Sequence, residues 1–304
     1  MKLGHFSFPP FCKTIEEAID SAAELGFYSV ELSRSMFARF PTKEDAFARA
    51  REIKEYADAR GIKLRCLSYC VNVLQNPEQK IEELKFLADI CKITDCKFLH
   101  HTLVCGVDLN DRMPYEEAIE KLVPICREVY DYAASLGVQC VYEPQGIVIN
   151  GVEPLVRFVK ALDRDAKMVA DLGNSLFVNT PAMDIIKAFA GKIAHVHIKD
   201  YYSFKRLNEV KLPYAFGDFK EKAERFYRTY CYETPDGSYI SDAPLGEGVN
   251  DFTALFAALL EQGYDGAFHL EEQFWSEDAH AQLDEYIAYC KRCYEEAKRI
   301  VEAK

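Results

Sequence analysis

Four short apolar runs in this chain each end on a side chain able to bind a cation. Val138-Gln139-Cys140-Val141-Tyr142 leads to Glu143, Lys167-Met168-Val169-Ala170 to Asp171, Ile193-Ala194-His195-Val196 to His197, and Ala267-Phe268-His269-Leu270 to Glu271. If the runs are successive strands, two glutamates, an aspartate and a histidine meet at one rim. Three carboxylates and an imidazole converging without a cation would repel, and desolvating them would be costly. One divalent metal ion removes the conflict. Mixed oxygen and nitrogen donors suit Mn²⁺, Mg²⁺, Co²⁺ or Zn²⁺, and a carboxylate-rich set leans to the harder ions, Mn²⁺ first. A single acidic strand end is commonly just solvated; the ordered set of four carries the reading.

The elements that must position these residues follow from a repeated unit: an apolar β-rich run, a loop, and an amphipathic helix closing on Gly. Gly26, Gly61, Gly137 and Gly263 each follow such a helix, where a left-handed residue stops it. Thr14 with Glu17 makes a capping-box pattern, and Thr42, Pro77, Pro114 and Pro181 stand where helices start. Eight strands are expected at roughly 2–8, 27–32, 62–70, 96–102, 138–143, 167–172, 192–198 and 265–271, with a long last helix near 276–303. Strands alternating with helices imply parallel βαβ units, and eight of them without a break predict a (β/α)8 TIM barrel, one domain over 1–304. A doubly wound open sheet is the alternative. In a barrel, the C-terminal strand ends converge on one mouth, which is where the four candidate ligands fall.

One connection breaks the rhythm. After strand seven lies a long insertion, about Tyr201 to Asn250, holding Tyr201, Tyr202, Phe204, Tyr214, Phe216, Phe219, Phe226, Tyr227, Tyr230, Tyr232 and Tyr239. Thr234-Pro235-Asp236-Gly237 is a turn signal between β-prone runs and predicts a hairpin. Such a loop leaves the face that carries the mouth, so it is expected to be a substrate lid or a subunit-packing arm.

Composition narrows the function classes. The chain has 304 residues, 49% hydrophobic and 28% charged, with a formal net charge of −12 spread along its length. That field disfavours a nucleic-acid binder and an anionic membrane surface. The start, MKLGHFSFPP, lacks the pattern of a secretory signal, and no apolar run approaches the roughly 20 residues that span a bilayer. A cytoplasmic location is expected. Eleven cysteines, most in apolar patterns (Cys66, Cys70, Cys96, Cys126, Cys140), read as buried free thiols. Cys290 and Cys293 form a C-x-x-C on a helix without a second pair, which is weak support for a zinc or redox site.

At these motifs the chain resembles the xylose isomerase-like barrel superfamily of sugar isomerases and epimerases. The matching segments are Val-Tyr-Glu143-Pro, Asp171-Leu-Gly-Asn174, His195-Val-His197-Ile-Lys199-Asp200, Gly246-Glu247-Gly248-Val-Asn-Asp251-Phe252 and Gly266-Ala-Phe-His-Leu-Glu271. The resemblance implies His197 rather than His195 as the ligand, and Glu271 rather than Glu272. Asn174 departs from the histidine many members carry there, so a proton-relay role does not transfer.

Metal chelating adjacent hydroxyl and carbonyl oxygens acidifies a C–H bond and stabilises the resulting enediolate. The resemblance implies Glu143 and Glu271 as the acid/base pair. Returning the proton gives epimerisation or isomerisation of a ketose, keto-sugar or sugar phosphate; expelling a β-substituent gives a lyase or dehydratase, resembling inosose dehydratases or 3-keto-glycoside deglycosidases. An apurinic endonuclease and a non-catalytic subunit are weaker alternatives. Candidate substrate-binding residues are His101, Asn174, Lys199 and Trp275. Lys199 is either an oxygen or phosphate ligand or a solvated rim lysine, and Trp275 either stacks on a sugar or caps the barrel. His101 is read as a substrate contact or as a packed or rim histidine, and by strand alternation His100 is expected to point the other way. Glu31 is read as a hydroxyl ligand or, more blandly, a structural salt bridge, and His5 and Ser7 as barrel filling. The partner is a small carbohydrate, with a homo-oligomer expected and a hetero-subunit as the alternative.

Overall fold

The computed structural model describes residues 1–6, 8–209, 231–271 and 278–304. Ser7, Glu272, Trp275 and the aromatics from Tyr214 to Tyr230 lie outside the described residues. Seven barrel strands come first in the chain: β1 (Leu3–Phe6), β2 (Ser29–Ser33), β3 (Lys63–Tyr69), β4 (Phe98–His101), β5 (Gln139–Tyr142), β6 (Lys167–Asp171) and β7 (Ile193–Ile198). The insertion supplies β8 (Tyr201–Phe204), β9 (Cys231–Glu233) and β10 (Tyr239–Asp242), and β11 (Phe268–Leu270) returns to the barrel. Among the described residues the α-helices are α1 (Ile15–Glu24), α2 (Lys43–Ala59), α3 (Pro77–Thr94), α4 (Tyr115–Ser135), α5 (Val152–Leu162), α6 (Ala182–Ala188), α7 (Phe252–Glu261) and α8 (Ala279–Glu302).

The eight barrel strands close in the order β1-β11-β7-β6-β5-β4-β3-β2, all parallel. The expected (β/α)8 barrel is therefore the fold, and the open sheet is excluded. The local reasons are those read from the sequence. Gly26, Gly61, Gly137 and Gly263 take φ of 71, 72, 77 and 76° after their helices, a region open to Gly at little cost. Thr14 accepts the N–H of Glu17 at 3.2 Å, while the Glu17 carboxylate closes on the N–H of Lys13 at 2.6 Å. Outside the strands, Ile19, Ile53, Leu84, Leu122, Phe158 and Phe256 fill the layer between barrel and helices, each contributing about 1.5–3 kcal/mol by burial. Among the described residues no helix is long and apolar enough to cross a membrane. All eleven cysteines are free, although Cys70 is exposed rather than buried.

Two irregularities serve the site. Between Val30 and Leu32 the β2–β3 register shifts, so two residues of β3 stand opposite Glu31. Such a bulge re-aims a side chain. The described residues of the insertion, for their part, form a three-stranded antiparallel sheet in the order β8-β10-β9. Its hairpin turns at Gly237, φ 81°, with the Thr234 N–H bonded to the Ser238 carbonyl at 2.9 Å, as the Thr-Pro-Asp-Gly signal predicts. Phe177, Tyr201 and Tyr232 pack edge to face and hold this sheet on the barrel.

Candidate metal centre

Asp171 closes β6 and is fixed by the turn that follows. Its Oδ1 accepts the backbone N–H of Gly173 at 2.8 Å and of Asn174 at 2.7 Å, which leaves Oδ2 to face the mouth. His197, near the end of β7, turns Nδ1 to the same point: Glu271 Oε2 lies 3.1 Å away, Glu143 Oε2 3.5 Å and Asp171 Oδ2 3.9 Å. Glu143 Oε2, Asp171 Oδ2 and His197 Nδ1 are buried without a hydrogen-bond partner. Ligand atoms of these three residues lie within 4.8 Å of one another. Buried polar atoms are rarely left unpaired. Three orphans aimed at one point, with the Glu271 carboxylate beside them as a fourth donor, fit a small cation.

Electrostatics agree with the geometry. Burial pushes the Asp171 carboxyl up to about 6, with Lys199 pulling against it. Burial also raises Glu143, but His100 and His197 outweigh it and hold that carboxyl well below its ordinary range. Burial lowers His197, yet Glu31, Glu271 and Glu143 override it and hold the imidazole well above its usual value.

Behind His197 sits a buried polar network inside the barrel. Glu31 is fully buried, and His197 Nε2 lies 3.0 Å from its Oε2. The carboxylate must accept there, so Nε2 keeps a proton and Nδ1 is the nitrogen that would meet a cation, once its own proton has left. Carboxylates commonly orient metal-ligating histidines in this way. His195 Nε2 meets the same oxygen at 2.6 Å, and Ser68 donates to Glu31 Oε1. Having given its one proton to Glu31, Ser68 accepts from His100 Nδ1 at 2.8 Å; His100 Nε2 then stands 3.3 Å from Glu143 Oε1. A closed chain of polar contacts thus links two of the candidate ligands. Of the two readings for Glu31, the ion-paired one describes what it touches.

Lys199 is no solvated rim residue. Its Nζ lies 3.1 Å from Glu271 Oε1, 3.7 Å from Asp171 Oδ2 and 3.4 Å from Asn174 Oδ1. Asn174 is buried and also receives the Tyr201 hydroxyl at 3.4 Å. His101 goes the other way. It is buried against the Tyr142 ring, centroids 5.1 Å apart, and its Nδ1 donates to the Thr102 carbonyl at 3.1 Å. Alternation along β4 holds, but in the opposite phase: His100 pairs with Val141, whose face Glu143 shares two residues on. His100 therefore faces the site and His101 the outer core. Strand register, absent from sequence, decides this. Also missed were Tyr201 and Asp242, brought to the mouth by the insertion's sheet.

The sequence pattern of the Xylose isomerase-like TIM barrel family matches residues 19–293. The chain belongs to that family. An inosose dehydratase of Geobacillus kaustophilus is 24% identical over 279 residues, 86% of this chain and 80% of the relative. The structure of the 3-keto-D-glucoside 4-epimerase of E. coli superposes with a TM-score of 0.71 at 16% identity, covering 96% of this chain and 100% of that one. A protein solved with a bound zinc atom gives 0.66 at 17% identity, over 98% of each chain. At these identities the solved structures speak for the fold alone.

Proposed function

We propose that this chain is a divalent-metal-dependent sugar isomerase or epimerase, with Glu143, Asp171, His197 and Glu271 as ligands and Mn²⁺ the first choice. The observation that carries the reading is the convergence of three orphaned buried donor atoms with Glu271. When bound there, a divalent ion polarises the carbonyl and neighbouring hydroxyl of a ketose or keto-sugar and acidifies the C–H beside them. Glu143 takes that proton, and Glu271, three strands away in the barrel order, returns one from the other side. A carboxylate serves as base at neutral pH only if it is ionised, and His100 and His197 keep Glu143 so. Lys199, tied to Glu271 and Asn174, orients a substrate oxygen.

A second reading, a lyase, is favoured by one observation: the inosose dehydratase relative, matched over 86% of this chain. Both readings begin with removal of the same proton. They part at its fate, by return to carbon or by loss of a β-substituent.

Proton exchange tests both. Metal-loaded protein incubated in D2O with ketoses, keto-inositols and 3-keto-glycosides should place deuterium next to the carbonyl of at least one of them. New stereochemistry on an intact skeleton marks an epimerase; release of water or aglycone marks a lyase. Glu143→Gln should keep the fold and abolish exchange, and wild-type turnover in that variant would defeat the assignment.

A further inference from the structure

The insertion brings two polar side chains towards the candidate ligands. Tyr201 and Asp242 stand directly opposite each other in the antiparallel register of β8 and β10, and both are buried. The Tyr201 ring lies so close over Gly173 that a Cβ there would come within 2.6 Å of it. That contact presses the ring onto the turn following Asp171. The hydroxyl meets Asn174 Oδ1 at 3.4 Å, where Lys199 Nζ also arrives at 3.4 Å. Lys199 forms its ion pairs with Glu271 and Asp171, while Asp242 accepts from the Tyr201 hydroxyl and stands near enough to feel Lys199, Glu271 and Asp171 together.

A buried carboxyl beside two other acidic groups costs stability unless something compensates it. Lys199 and the Tyr201 hydroxyl offset part of that cost, but burial still prevails and keeps the carboxyl raised. Costly buried groups of this kind cluster where ligands bind. The ligand's chemistry follows from the neighbours. Asp242 accepts a hydroxyl proton as carboxylate and donates or accepts as acid, and Tyr201 and Lys199 supply donors beside it. A phosphate dianion in the same place would face Asp242 and Glu271, and like charges so close repel strongly.

We infer that Tyr201, Asp242 and Lys199 form a hydroxyl-recognition subsite, and that the substrate is a neutral polyhydroxylated carbonyl compound rather than a sugar phosphate. The inference rests on the metal-dependent reading above. The insertion then sets which carbohydrate is accepted, while the four strand ends set what is done to it.

The test compares wild-type, Asp242→Asn and Tyr201→Phe proteins, each metal-loaded and checked for metal content and melting temperature. Probes are a ketohexose, its 1- and 6-phosphates, and a keto-inositol, read by deuterium exchange and titration calorimetry. Wild type should bind and exchange a neutral probe at least about tenfold better than either phosphate. Losing one hydrogen bond to a charged group should raise KM and Kd for neutral probes about 10- to 100-fold in Asp242→Asn, with metal content unchanged. The neutral-over-phosphate preference should shrink at the same time. Should Asp242→Asn not fold, Tyr201→Phe carries the comparison and should move in the same direction. Neutral-probe affinity within twofold of wild type in the folded variants, or a wild-type preference for phosphates, overturns the subsite while leaving the metal-dependent reading intact. Absence of exchange on every probe with metal bound brings down that reading and the subsite with it.

Discussion

Replacing Glu31 by Gln isolates what the inner network does for the candidate ligands. Glu31 touches none of the three orphaned atoms. It accepts from His197 Nε2 at 3.0 Å and from His195 Nε2 at 2.6 Å, and receives the Ser68 hydroxyl. Burial pushes its carboxyl up, yet His197 and His195 hold it well below the ordinary range, so the native group is an anion. Gln keeps the size and one acceptor oxygen but removes the charge and offers an amide N–H toward one of the two imidazoles. One of His195 and His197 then loses its acceptor, and His197 loses the field that makes its Nδ1 a better donor. Outer partners of metal ligands are typically worth about 10- to 100-fold in affinity, or about 1.4–2.7 kcal/mol at about 1.36 kcal/mol per tenfold. The assay is metal affinity in chelator buffers beside circular-dichroism melting of the metal-free proteins. A folded Glu31→Gln variant that binds metal within twofold of wild type would refute the argument that Glu31 orients His197.

Two further outcomes follow from the geometry. Asp171 has its folded value raised from 3.8 to about 6, by burial first, with Lys199 opposing. Its retained proton stabilises the metal-free chain below the unfolded value, and that term is lost as pH rises through about 6. Metal affinity runs the other way: Asp171 must give up its proton below that point, and His197, held well above its usual value, must give one up above it, so affinity should fall steadily as pH drops; a flat affinity profile between pH 5 and 7, measured by calorimetry, would be the contrary result. Gly173→Ala places a Cβ 2.6 Å from the Tyr201 ring and 3.2 Å from Lys199 Cγ, while φ at Gly173 is −121°, so the cost is steric alone. It should destabilise by about 1–3 kcal/mol, read by thermal melting, and an equal loss in a Tyr201→Ala background would show the clash to be elsewhere.

The barrel was legible because its punctuation is local. Gly26, Gly61, Gly137 and Gly263 end their helices by backbone conformation alone, and each strand end then falls a few residues on. Gly137 and Gly263 lead in this way to Glu143 and Glu271, and Asp171 and His197 follow from the apolar runs that they close, without any knowledge of packing. What escaped depends on how strands sit against one another. His100 and His101 are adjacent in sequence, and only the pairing of β4 with β5 tells which faces the mouth. Glu31 reaches the interior network at a register shift that no single-strand pattern contains. Tyr201 and Asp242 are 41 positions apart by their numbers and meet through antiparallel pairing inside the insertion. Long-range register was the missing quantity in all three cases.

The central claim is most directly tested by locating the ion. Protein loaded with Mn²⁺ should hold one ion per chain, and anomalous scattering from a crystal should place it against Glu143 Oε2, Asp171 Oδ2, His197 Nδ1 and Glu271, at about 2.0–2.3 Å. An ion seated instead among Glu31, His195 and His269, or among Glu31, His100 and His197, the two other buried groups among the described residues with donor atoms within 4.8 Å, or no ion at all, would contradict it.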